Sequence, residues 1–341
     1  MSMHFFAKGQ RVATVQGSVF VEMAPFRIEP QFVDRVWGWN DLHPWYDRKA
    51  TSDPIGEVWL TGDGCRIASG PHTGKTLGEI FKEAPQAMLG TDAAGPDSPL
   101  LIKVIFAREK LSVQVHPDDR LARKHGEPRG KTECWYVLAA EPDAKVALGL
   151  KTGITIDQIK SGIDDCSLES ELNIIPVQRA DMIYVDAGTV HAIWPGSVLL
   201  ETQQNSDLTY RMYDYGRGRE LHIEKSLEAV RLVTKAGKAA PRRLDDRDVL
   251  LETKYFCVER IPVEVSRPSA SLRSPAEPQT NLAYLFAAAG SGRLASPSFG
   301  SIDLPEHGIV AVPATSPTFA IQDLGGLDLI RITPRWPEKN S

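Results

Sequence analysis

LSVQVHPDD, residues 111–119, alternates. Leu111, Val113 and Val115 form one set of side chains; Ser112, Gln114 and His116 form the other. Successive side chains of a strand point to opposite faces, so the segment reads as a strand with one aliphatic face and one of hydroxyl, amide and imidazole. Its neighbours extend the reading. PLLIKVIFA (99–107), TECWYVLAA (132–140), KVALGL (145–150), DMIYVDA (181–187), AIWPGSVLLETQQ (192–204) and LTYRMYDY (208–215) are short β-type runs punctuated by Gly, Pro and Asp, the pattern of an all-β chain. Helical spacing is confined to TLGEIFKEAPQAML (76–89), where Thr76 and Glu79 form a capping-box pair, to ITIDQIKSGI (154–163) with a continuation through SLESEL, and to LHIEKSLEAVRLV (221–233).

The chain of 341 residues is long for one domain. The charged stretch TKAGKAAPRRLDDRD (234–248) reads as a linker, which predicts a first domain over 1–240 and a second, smaller β domain over 241–341. A Pro/Ser-rich loop, SRPSASLRSPAEPQ (266–279), breaks the second domain. The two domains echo one another: DMIYVDAGTVH (181–191) and HGIVAVPATSPT (307–318) both run apolar strand, small-residue turn, re-entry. Aligning Asp186 with Pro313 sets Gly188 on Thr315 and His191 on Thr318, so the second copy lacks the histidine and any site falls in the first.

A net charge of −5 gives no basic face for nucleic acid. No segment approaches the ~20 apolar residues of a membrane helix. The amino-terminal run is interrupted by Gln16 and Gly17, a poor signal peptide. The four cysteines are scattered without a CxxC pair, which points to a reducing, cytoplasmic setting. Monomer and homodimer are both open at this stage.

The chemistry gathers on strand faces. Ser112, Gln114 and His116 share one; Lys131, Glu133 and Trp135 share another; His191 follows the turn DAGTV. A lone strand histidine is most often solvated or hydrogen-bonded. A carboxylate sharing an inward face with tryptophan, however, needs a partner. Imidazole nitrogens with carboxylate and amide oxygens make a workable ligand set for a divalent metal such as zinc. Downstream, alternation puts Asp207, Thr209, Arg211 and Tyr213 on one face, where Arg211 is suited to an anion or to a structural Asp–Arg pair. GRGRE (216–220) lacks the GK[ST] ending of a phosphate loop.

The ordered set LSVQVHPDD, GKTECWYVL, AGTVHAI, ETQQNSD, TYRMYDY and LHIEK resembles the type I mannose-6-phosphate isomerase family in its shorter bacterial form, from WGW at 37–39 through LHIEK at 221–225. The resemblance implies two jelly-roll cupin barrels with a small helical insertion, and one metal, usually zinc, in the first barrel. It implies Gln114, His116, Glu133 and His191 as ligands, Lys131 and Arg211 near a sugar phosphate, Ser112 at the phosphate, and Lys103, Glu201 and Asp207 elsewhere in the site. Two departures stand out: the cupin turn's Gly-Asp opening is Ala180-Asp181 here, and Gly130 stands where the longer isomerases carry a histidine beside the lysine.

Interconversion of mannose 6-phosphate and fructose 6-phosphate moves a proton between C1 and C2 through a cis-enediol, needing an acid/base group, positive charge and a phosphate anchor. Asp207 and Lys103 are the candidates for the proton, the lysine only if its pKa is depressed. The rival readings are an isomerase of another phosphorylated or free aldose, a metal oxygenase, for which His116 and His191 supply little imidazole, and a non-catalytic sugar-phosphate binder.

Overall fold

In the computed structural model, which describes residues 12–15, 18–90, 97–263, 267–268 and 282–335, the opening segment forms the strand Val113–Val115 with both valines buried. It belongs to a five-stranded sheet in the order Leu172–Pro176, Lys145–Leu150, His191–Ile193, Val113–Val115, Tyr210–Tyr213. A seven-stranded sheet runs Gly237–Ala239, Met182–Val185, Glu133–Ala140, Ser197–Gln204, Leu100–Phe106, Ile55–Trp59, Gln31–Trp39. Val146, Leu148 and Ile193 from the first sheet share one core with Ile105, Trp135, Val137, Ile183 and Leu199 from the second. The central strand LLIKVIF is buried at every position, which is why it reads as an apolar run without alternation.

A second pair of sheets repeats this plan. Seven strands run Phe26–Ile28, Ile309–Val312, Ala283–Ala289, Asp328–Pro334, Phe256–Ile261, Asp248–Glu252, Arg242–Arg243, and four run Gly300–Leu304, Gly292–Ser296, Ala320–Asp323, Arg267–Pro268. Strand for strand, the order matches the first pair, save that Tyr210–Tyr213 has no counterpart among the described residues. The chain is therefore all-β with jelly-roll-like sandwiches, as expected; among the described residues each sandwich is two separately bonded sheets, without closure into one continuous barrel.

The two compact units do not follow the expected split at 240 alone. One comprises residues 32–59 and 100–240; the other comprises 1–31, 60–99 and 241–341. The contiguous domain 1–240 is interrupted because Phe26–Ile28 pairs with Ile309–Val312, and the carbonyls of Ala87 and Met88 accept from Thr315 and Ala314. Within 234–248, Gly237–Ala239 is a sheet edge paired to Met182–Tyr184 and not bare linker. Residues 1–11, 16–17 and, apart from Arg267–Pro268, the 266–279 loop lie outside the described residues.

Helix ends follow the caps: Thr76 and Thr155 each make a full capping box, starting Leu77–Glu83 and Ile156–Asp164. The expected helix over 76–89 breaks at Ala84, before Pro85–Leu89. SLESEL forms a separate 3-10 turn, Leu168–Glu171, and 192–204 splits at Gly196 into two strands in different sheets. Ala180 holds a φ of +70°, a left-handed conformation that favours the glycine of the cupin turn. Among the described residues no helix is long and apolar enough to cross a membrane.

The sheet registers show what the repeat did to the interior. In the first sandwich Trp59, Lys103, Glu201 and Trp135 lie abreast on four strands; in the second Val249, Glu259, Arg331 and Leu285 do. Two residues before Trp59 and Val249 stand Glu57 and Arg247. Lys103 pairs with Glu201 at 2.8 Å and Glu57 at 3.5 Å, whereas Glu259 pairs with Arg331 at 2.6 Å and Arg247 at 2.7 Å. The second sandwich thus carries the same buried three-residue cluster with every charge inverted. Glu133 corresponds to Ala283, since Glu133 faces Val185 and Ala283 faces Val312. That register sets Asp186 on Pro313.

Breaking the inverted cluster strands buried guanidiniums. Glu259→Gln is expected to destabilise the protein by about 3–5 kcal/mol, while joint replacement of Arg247, Glu259 and Arg331 by apolar residues of similar volume costs far less; urea unfolding measures both.

Candidate active site and metal centre

His116 follows Val113–Val115, His191 opens His191–Ile193, and Glu133 opens Glu133–Ala140 on the facing sheet. Their ligand atoms lie within 4.8 Å of one another, all three residues buried. His116 Nδ1 donates to the Leu208 carbonyl at 2.8 Å and His191 Nδ1 to the Thr189 carbonyl at 2.9 Å. Both rings therefore turn Nε2 toward Glu133, at 3.5 and 3.4 Å. A backbone carbonyl on the far nitrogen is how a metal-binding imidazole is oriented. Burial holds both rings neutral, with His191 pulled down to about 4 and His116 well below the ordinary range.

Glu133 is fully buried and neither of its oxygens has a hydrogen bond of acceptable geometry. Burial, with Glu201 nearby, pushes its carboxyl up to about 8 against the pull of Lys131. Two neutral imidazoles and an under-satisfied carboxylate form a donor set that fits a divalent cation. A cation already faces that focus: Lys131 Nζ stands 2.8 Å from Glu133 Oε2 and 3.1 Å from His116 Nε2. Gln114 lies across from His191, its Nε2 3.1 Å from His191 Nε2 and its Oε1 accepting from Ser112 at 3.3 Å. A half-turn of that amide presents the oxygen inward, and the Ser112 hydroxyl accepts as readily as it donates.

Two glycines hold the ligands in place. Gly188, at φ +92°, donates from its backbone to the His116 carbonyl at 2.8 Å. Gly130 packs under the HPDD turn, where a Cβ would lie 2.5 Å from the Pro117 oxygen and the Asp118 carbonyl carbon. Its N–H donates to Asp119 Oδ1, and the next N–H, of Lys131, to the Pro117 carbonyl. No side chain fits beside the lysine, which accounts for the missing histidine.

From the metal centre a ladder of alternating charge runs through the sandwich. Glu133 meets Lys131 at 2.8 Å, Lys131 meets Glu201 at 3.9 Å, Glu201 meets Lys103 at 2.8 Å, Lys103 meets Glu57 at 3.5 Å, and Glu57 meets Arg35 at 2.8 Å. Trp135 and Trp59 donate indole N–H groups to Glu201 and Glu57. Despite burial, Lys103 keeps a raised pKa because of Glu201 and Glu57, and Glu201 is held well below the carboxylate range, chiefly by Lys103 and Lys131.

From Lys131 to Arg35 the ladder lines a cleft of about 490 Å³ together with Ser112, Gln114, Asp207, Thr209, Arg211 and Arg219, a size that suits a small polar ligand. The structure thus brings the expected site residues together: His116, Glu133 and His191 form the candidate metal cluster with Gln114 beside it, and Lys103, Ser112, Lys131, Glu201, Asp207 and Arg211 lie around the cleft. Asp207 is exposed, and Arg211 is half-buried with its NH1 on the Glu220 carbonyl at 2.8 Å. Tyr213 leaves the shared face because the register slips between Arg211 and Tyr213, and it packs in the outer core with Met212. The residues not anticipated are Arg35, Glu57 and Arg219. Glu57 was signalled by the repeat of Glu-x-Trp in Glu57–Trp59 and Glu133–Trp135.

The profile of the type I phosphomannose isomerase catalytic domain matches residues 26–149. A probable mannose-6-phosphate isomerase, GmuF, of Bacillus subtilis is 35% identical over 249 residues, covering 69% of this chain and 78% of that protein. The mannose-6-phosphate isomerase of Streptococcus mutans is 34% identical over 248 residues, covering 69% and 77%. The crystal structure of a mannose 6-phosphate isomerase from Bacillus subtilis superposes with a TM-score of 0.79 at 29% identity, covering 91% of this chain and 99% of that one.

Metal uptake must ionise Glu133. At pH 7 the metal-free carboxyl is mostly protonated while both imidazoles are already neutral, so binding is expected to release close to one proton. Release should fall as pH rises through about 8 and climb again below pH 5 as His191 begins to protonate; calorimetric titration in buffers of different ionisation enthalpy reads this directly. Gly130→Ala is expected to cost about 1–3 kcal/mol through overpacking and to weaken metal binding by shifting the turn that carries His116, checked by thermal melting and metal titration.

Proposed function

The chain belongs to the type I mannose-6-phosphate isomerase family, and we propose from that premise how its own residues divide the reaction. It is an aldose–ketose isomerase that interconverts mannose 6-phosphate and fructose 6-phosphate. In our reading the metal is zinc, held by Gln114, His116, Glu133 and His191. Once bound, it supplies Lewis-acid polarisation of sugar oxygens. The four cysteines, none in a disulfide and three of them buried, suit a reducing cytoplasm.

The observation that carries the assignment of the substrate anion is Arg211 Nε. It is buried and, among the described residues, without a hydrogen-bond partner, on a side chain that lines the cleft. A buried guanidinium N–H left open calls for an oxyanion. Ser112, in the same cleft, adds a hydroxyl. Lys103 stays charged between Glu201 and Glu57, so it stabilises negative charge on the enediolate and does not act as the base. Glu201 fixes Lys103 and the Trp135 indole. Lys131 supplies a second cation beside the metal centre. Proton abstraction falls to Asp207, whose carboxylate lines the cleft outside the ladder.

Activity on mannose 6-phosphate is expected to vanish on chelation and return with zinc. Asp207→Asn should lower kcat by about 10²-fold or more with metal content unchanged, and Arg211→Ala should lose most of kcat/KM while keeping the metal. Normal turnover by the metal-loaded variants would move these roles elsewhere, and equal turnover of free mannose would remove the phosphate from the reading.

A further inference from the structure

Arg211 sits on the edge strand of the five-stranded sheet. An edge residue turns a backbone N–H and C=O away from the sheet, and both need partners. His222 supplies both. Its N–H donates to the Arg211 carbonyl at 2.8 Å, and the Arg211 N–H donates to His222 Nδ1 at 3.2 Å. Two residues earlier, the Glu220 carbonyl accepts from the Arg211 guanidinium. One short segment, 220–222, therefore holds Arg211 at both backbone and side chain.

The bond to Nδ1 has a fixed polarity. A backbone N–H only donates, so Nδ1 must carry a lone pair and the ring hydrogen must sit on Nε2. This is opposite to His116 and His191, whose Nδ1 atoms meet carbonyls. A doubly protonated ring would set one N–H against another and break the edge pairing of Arg211.

We propose that His222 is a positioning residue for Arg211, and that its protonation releases Arg211 and weakens turnover at acid pH. The inference rests on the reading that Arg211 handles the substrate anion. The groups facing the ring are Glu220, 4.0 Å from Nε2, Arg211 on the strand behind it, Lys225 on its own helix, and the Tyr210 ring at 6.4 Å. Burial, aided by Arg211 and Lys225 and opposed by Glu220, keeps His222 below the usual imidazole range. It is therefore neutral, and accepting, at neutral pH.

The test compares His222→Asn, His222→Gln and His222→Ala with Arg211→Ala in the zinc-loaded enzyme, following kcat/KM for mannose 6-phosphate from about pH 5 to 9. The Asn amide oxygen takes the place of Nδ1 and does not titrate; the Gln amide reaches toward Nε2. His222→Ala and His222→Gln are expected to lose about tenfold in kcat/KM at pH 8, as for one hydrogen bond to a working group, with metal content unchanged. His222→Asn should recover most of that loss and shed the part of the wild-type acid limb that His222 causes. If His222→Asn keeps the full wild-type acid limb, or His222→Ala matches wild type throughout, the inference is overturned. If Arg211→Ala turns over normally, it is the anion assignment that fails. Should His222→Ala not fold, the comparison of His222→Asn with wild type decides alone.

Discussion

Charge inside a β-sandwich has to be answered by charge, and that constraint organises the first sandwich. Arg35, Glu57, Lys103, Glu201, Lys131 and Glu133 alternate in sign along one connected path, each within 4 Å of the next. Once metal uptake has ionised Glu133, the cations and anions of this path cancel. A divalent cation among His116, Glu133 and His191, which contribute no positive charge of their own, then leaves the interior positive by the whole charge of the ion. A dianionic sugar phosphate is the complementary guest. Metal loading and substrate attraction are in this way two consequences of one balanced ladder.

The second sandwich meets the same constraint with no cluster of metal-ligating side chains among the described residues. Its strand order and register repeat the first, yet Glu57, Lys103 and Glu201 are answered by Arg247, Glu259 and Arg331. An inverted cluster keeps local neutralisation while turning the sign of its centre from cation to anion. Such an interior cannot pass charge to a neighbouring carboxylate ligand, and Ala283 stands where that ligand would be. The difference reaches beyond the absent histidine: the buried cluster at the corresponding place carries the opposite charge at every position.

Much of this was legible in the sequence because strand alternation is a two-state code. Ser112 with Gln114, and Lys131 with Glu133 and Trp135, could be placed on common faces from spacing alone, and Thr76 and Thr155 announced their helices through local caps. What escaped was set by register between distant strands. Glu57 acquires its meaning only because Trp59 lies beside Lys103 and Lys103 beside Glu201. Tyr213 was misplaced because a bulge cancels alternation, and the first domain was drawn too simply because Phe26–Ile28 pairs with a strand far along the chain. The role proposed for Lys103 likewise depends on partners that spacing does not reveal.

Depth in the cleft then separates structure from chemistry. Lys103, Glu201 and Lys131 are buried and locked to opposite charges, so moving a proton on or off any of them would unbalance the ladder. They can stabilise developing charge without reorganising, which is what electrostatic catalysis requires. Asp207 and Arg211 differ in kind. They lie where the five-stranded sheet ends, one just before its edge strand and the other on it, and in contact with the cleft. In our reading the exchanged proton belongs there, outside the ion-paired path, and the edge strand's open backbone groups give His222 a handle on Arg211 that no central strand could offer. In our reading the reaction belongs at that boundary, where side chains outside the ion-paired path meet the cleft.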